Sequence, residues 1–86
     1  MMLSSRAVSV GTAVVRVAEA AGSPLLINFH NESGHDIYLG GSDVTPTTGF
    51  HLDQHEHLQM SLYPGNEIYA CTASNVASLI CLEQQL

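Results

Sequence analysis

The chain never runs far without a turn. Gly22-Ser23-Pro24, Asn31-Glu32-Ser33-Gly34, Gly40-Gly41, Pro64-Gly65-Asn66 and Ala73-Ser74-Asn75 interrupt it in succession. Proline lacks an amide donor, glycine accepts turn conformations, and Asn and Ser bond to their own backbone, so each group stops an extended segment. The intervals between them suit strands and leave little room for a stable helix. What fills those intervals is β-like. Residues 25–30 (LLINFH), 36–39 (DIYL), 67–72 (EIYACT) and 76–83 (VASLICLE) are rich in apolar, β-branched or aromatic side chains. Residues 58–63 alternate, with Leu58, Met60 and Leu62 on one face and Gln59, Ser61 and Tyr63 on the other. Before them come Val8, Val10, Val14, Val15 and Val17, broken at Gly11-Thr12. Residues 18–21 (AEAA) predict one helical turn, stopped by Gly22-Ser23-Pro24, and residues 43–49 (DVTPTTG) predict an extended loop. The expected fold is all-β: an antiparallel sandwich of seven or eight strands, with a jelly-roll-like form among the arrangements allowed. Residues 11–86 form one β-sandwich domain, and residues 1–10 serve as a docking arm or a first strand.

Charge narrows the function. Charged residues make up 12% of the chain, about half the usual ~25%. There is no lysine, the only arginines are Arg6 and Arg16, and the net charge is −6. Such a chain lacks the basic clusters that bind phosphate, so direct nucleic-acid binding is not expected. No apolar run is long enough to cross a membrane as a helix, and the first residues do not read as a signal peptide. Synthesis in a cytoplasm then leaves Cys71 and Cys81 reduced, as free, partly buried thiols on strands expected to pair. They fit no zinc or redox spacing. The last strand adds a second constraint. Val76, Ser78, Ile80 and Leu82 share one face and Ala77, Leu79 and Cys81 the other, so both faces are largely apolar. A sandwich strand normally turns one polar face to water. A homo-oligomer is therefore expected, with a third layer made by the N-terminal segment as the alternative.

The run from Ile37 to Phe50, IYLGGSDVTPTTGF, resembles a phrase found in small all-β structural proteins of tailed bacteriophages. Leu26-Ile27-Asn28 precedes it. Leu52, Glu56, the alternating segment, Pro64-Gly65, Tyr69-Ala70 and a final strand ending Cys81-Leu82-Glu83 follow it in the order those proteins show. The likeness spans residues 8–83. It implies a virion component without catalysis or cofactor: a capsid decoration (cement) protein on the capsid surface, homo-oligomeric with a trimer favoured, bound to the major capsid protein or another virion protein. A tail, neck or baseplate module, or a host-adhesion domain, is the alternative. Contact residues expected on this reading are Arg6, Val8, Val44, Pro46, Tyr63, Tyr69, Leu79 and Cys81. Gly40-Gly41 is expected to bend the chain through positive φ, and Asp43, Thr45 and Pro46 to stiffen the loop after it.

Three of the five histidines fall in residues 50–60, FHLDQHEHLQM. His55 and His57, two apart on an incipient strand, would point to one face, and His51 or Asp53 could add a third metal ligand. A small cupin-like metal enzyme built on His51, His55 and His57 is the reading from a different class. Against it, His-x-His arises readily in a His-rich chain, and a solvated polar turn is the expected structure. In Gly34-His35-Asp36, adjacent side chains point to opposite faces, so a turn histidine and a strand-opening aspartate are expected rather than a catalytic pair. Ser4, Ser5, Ser9 and Ser61 have no His/Asp partnership that would make them nucleophiles.

Overall fold

A computed structural model describes residues 3–86. Eight strands follow one another with no helix among the described residues: β1 (Leu3–Val10), β2 (Val15–Glu19), β3 (Leu25–Asn31), β4 (Ile37–Gly40), β5 (Phe50–Leu52), β6 (His57–Leu62), β7 (Glu67–Cys71) and β8 (Ala77–Gln85). They form two antiparallel four-stranded sheets. Sheet A has the order β1-β8-β3-β6 and sheet B the order β2-β7-β4-β5. The pairing is nested: β1 with β8, β2 with β7, β3 with β6, and β4 with β5. The chain is thus one long hairpin folded over itself, closed by the β3–β8 and β4–β7 pairs. That is jelly-roll connectivity.

A single apolar cluster draws on both sheets. Val10, Leu25, Ile27, Phe29, Leu62, Leu79 and Cys81 come from sheet A, and Val17, Ala18, Ile37, Leu39, Leu52 and Ala70 from sheet B. The radius of gyration, 12.0 Å, is about that of a compact chain of this length (~12 Å). Strand alternation then assigns the outer faces. Leu3, Ser5, Ala7 and Ser9 of β1 stand beside Gln84, Leu82, Ile80 and Ser78 of β8. Leu26, Asn28 and His30 of β3 continue the rows to Ser61, Gln59 and His57 of β6. No Asp, Glu, Lys or Arg points out of sheet A.

The N-terminal segment is a first strand, since β1 pairs with β8 from Leu3 to Val10; the docking-arm expectation for Met1 and Met2 lies outside the described residues. The helical turn expected at residues 18–21 does not form. Ala18 instead belongs to β2, where a register shift between Arg16 and Ala18 lets Val17 and Ala18 both be buried. Val17, skipped by the register, offers its carbonyl to the Arg6 guanidinium, which also pairs with Glu83. Arg6 is therefore a clasp between the β1 and β2 edges. The two cysteines do not lie on paired strands: Cys71 is in sheet B and Cys81 in sheet A, and both are free and buried.

Neither Gly40 nor Gly41 takes positive φ; Gly65 is the glycine that does. Gly40 is needed for a different reason. Residues 41–49 fold back over the outer face of sheet B and press Val44 onto it. A Cβ on Gly40 would meet Val44 Cγ2 at 2.9 Å, and one on Gly49 would meet Tyr38 Cβ at 2.6 Å and the Thr45 carbonyl at 3.0 Å. Thr45 ties the loop: its carbonyl accepts from the Gly49 amide (2.8 Å), and its Oγ1 accepts from the Thr47 and Thr48 amides.

Candidate functional site

The nested pairing gathers the chain's chemistry at one end. The β3–β4 turn supplies Glu32, His35 and Asp36, and the β5–β6 turn supplies Asp53, His55 and Glu56. His30 and His57 sit opposite one another where β3 and β6 meet, and His51 lies one residue before the end of β5. All five histidines and half of the eight carboxylates thus share one end of the sandwich, although the sequence holds them in two separated groups. Neither arginine is there. Arg16 pairs instead with Glu67 (3.1 Å) and Glu19 (3.5 Å) on sheet B.

Asn31 organises this end. It is fully buried, and its Nδ2 donates to the carbonyls of His35 (2.7 Å), Leu52 (3.1 Å) and Asp53 (3.1 Å). Its Oδ1 accepts from the Ser33 amide (3.2 Å) and Oγ (2.7 Å). One side chain at the end of a sheet A strand therefore fixes two turns that enter and leave sheet B. The β5–β6 turn is also closed by its own residues: the Asp53 amide donates to Glu56 Oε1 (2.8 Å), and the Glu56 amide to the Asp53 carbonyl (3.1 Å).

Within this frame Asp36, His51 and Asp53 meet. His51 Nε2 lies 3.0 Å from Asp36 Oδ2 and 3.0 Å from Asp53 Oδ1. Its ring stacks on Tyr38, with centroids 5.1 Å apart and planes 12° from parallel. The hydrogen bond to Asp36 raises the His51 pKa above the usual histidine value; partial desolvation opposes this, and the charge of Asp53 adds to it. A cleft of about 200 Å³, lined by His35, Asp36, Tyr38, Gln54 and Ser74 among others, opens beside the cluster.

The alternative metal set of the sequence, His51, His55 and His57, does not converge. Among the described residues, the one group of three side chains placed to hold a metal ion is Asp36, His51 and Asp53. His55 sits in the turn with φ of 61°, a left-handed conformation that breaks the strand alternation needed to align it with His57. His57 instead faces out of sheet A beside His30, whose Nδ1 pairs with Glu32 (2.8 Å). Asp36 was legible only as a strand opener; its role depends on β4 and β5 being neighbours.

The expected contact residues divide. Leu79 and Cys81 are wholly buried and Val44 nearly so, so the molecule covers them itself and they offer no surface to a partner. The open side of β8 is the opposite one, Ser78, Ile80 and Leu82. Val8 is half-buried against the core, and Arg6 is engaged in the edge clasp. Tyr69 is half-buried on sheet B, with its hydroxyl 3.3 Å from Glu67. Pro46 and Tyr63 are exposed. Sequence reasoning passed over Phe50, which is 60% exposed at the rim of an apolar cleft of about 320 Å³ lined by Leu39, Leu58, Met60 and Ile68. Compared with protein families, curated proteins and solved structures, the chain matches none.

Proposed function

We propose that this chain is a structural component of a tailed-bacteriophage virion: a capsid decoration protein that joins like copies, as a trimer, and binds the major capsid protein to stabilise the shell. The observation that carries the assembly reading is the outer face of sheet A. Four strands present no charged acid or base, and Leu26, Ile80, Leu82 and Ala7 occupy their centre. Charge is depleted at the cores of protein interfaces, and a neutral sheet face with an apolar middle fits that pattern. The virion assignment draws on the ordered sequence phrases. Jelly-roll connectivity is compatible with it, but viral capsid domains share that architecture with lectins and cupins, so the fold alone does not choose. Among the described residues, Ile27, Phe29, Leu79 and their neighbours fill the interior, which leaves no internal cavity for a cupin-like metal site.

Light scattering on the purified full chain tests the assembly, with Leu82→Glu as the interface variant. The wild type is expected to run as a trimer and Leu82→Glu as a folded monomer with an unchanged circular-dichroism spectrum. A wild type that stays monomeric at high concentration removes the reading. Imaging of intact particles then separates capsid decoration from a tail, neck or baseplate position.

A further inference from the structure

We infer that Asp36, His51 and Asp53 form a binding site for a divalent transition-metal ion, Zn²⁺ or Mn²⁺, at the histidine-rich end of the sandwich. The geometry is that of three donors arranged around one ion. Metal–ligand bonds of about 2.1 Å place neighbouring donors about 3.0 Å apart in octahedral coordination and about 3.4 Å apart in tetrahedral coordination. The imidazole nitrogen stands 3.0 Å from each carboxylate oxygen, and all three donor atoms lie within 4.8 Å of one another. An ion seated among them replaces the proton on Nε2 and needs only a small outward movement of the side chains. One imidazole and two carboxylates form a mixed N,O set, which suits Zn²⁺ and Mn²⁺ better than the oxygen-preferring Mg²⁺ and Ca²⁺.

The surroundings support the same assignment. Tyr38 stacks on the imidazole and sets its plane. Asn31 holds the backbone at Asp53 and at His35, next to Asp36, so two of the ligands stand on anchored chain. The adjoining cleft leaves room for water molecules to complete the coordination. The turns at this end carry no lysine or arginine, and Glu56 adds negative charge near His51. Sites of this kind bind weakly when exposed, and the three side chains are 37% to 62% exposed.

Calorimetric titration of the untagged full chain with ZnCl₂ and MnCl₂ at neutral pH tests the site. One ion per chain is expected, bound at least about tenfold more tightly than Mg²⁺. His51→Ala, Asp36→Asn and Asp53→Asn should each weaken binding about tenfold or more while leaving the circular-dichroism spectrum unchanged. His55→Ala and His57→Ala should bind as the wild type does. No binding of either ion at millimolar concentration overturns the assignment. So does loss of binding in His57→Ala or His30→Ala with retention in His51→Ala, because the ion would then sit on the cross-strand histidine pair.

Discussion

The two outer faces of this sandwich are treated differently by the same chain. Sheet B is covered and charged. Arg16, Glu19 and Glu67 form ion pairs on it, and residues 41–49 fold across it so that Val44 buries Cys71, whose Sγ lies 3.8 Å from the Val44 carbonyl. Sheet A has neither device. Its outward residues are small, amide, aliphatic or imidazole, and Leu82 stays 39% exposed at its centre. A chain with two arginines and no lysine places one in the clasp at the β1/β2 edge and the other on sheet B, leaving the outer face of sheet A without a charged acid or base. The contrast shows that a poorly charged surface need not be uniform. One face is finished by the chain itself, and the other stays open and without a charged acid or base.

Breaking the link between the two sheets should cost most. Asn31→Asp puts a carboxylate against the carbonyls of His35, Leu52 and Asp53, and a destabilisation of about 3 kcal/mol or more is expected in urea unfolding. Next comes the cover on sheet B. Gly49→Ala drives a methyl group into Tyr38 and the Thr45 carbonyl, for about 1–3 kcal/mol. Val44→Ala should cost about 1–2 kcal/mol and, more usefully, make Cys71 react faster with a thiol reagent. Cys81 should stay inert in the same protein, because burial pushes its pKa up to about 11 and it has no exposed surface. On sheet A the expectation is opposite: Leu82→Glu should remove association and the concentration-dependent part of the stability with it, while changing the unfolding of the single chain by less than about 0.5 kcal/mol.

The smallest effect concerns pH. With its folded-state pKa raised, chiefly by Asp36, protonated His51 stabilises the fold. That contribution is fully present below the unfolded histidine value of about 6.5 and is lost as pH rises through the folded value. The NMR titration midpoint of His51 in metal-free protein should lie above that of a model histidine, and Asp36→Asn should bring it down.

Much of the fold was legible because its signals are local. Turn residues separate the strands, and residues 58–63 alternate as predicted: Leu58, Met60 and Leu62 face the core. Residues 18–21 misled because alanine favours a helical turn in isolation, whereas pairing with Ile68 and Glu67 of β7 holds Ala18 and Glu19 in β2. The glycine pair at 40–41 misled for a related reason. Gly40 serves a close approach by Val44, which only the returning loop creates. At the candidate site the histidines were visible in sequence, but their grouping was not. His-x-His spacing assumes a strand, and the left-handed His55 removes that premise.

By itself the sequence determined an all-β chain, poor in charge, with chemistry-bearing residues in its turns. Periodicity, turn chemistry and composition act over a few residues and need no knowledge of what lies opposite. The tertiary structure alone decided which face of β8 remains open, which face the loop covers, and that Asp36 meets His51 and Asp53. Those outcomes depend on strand order and register, and sliding a strand by one residue would send every side chain on it to the other face.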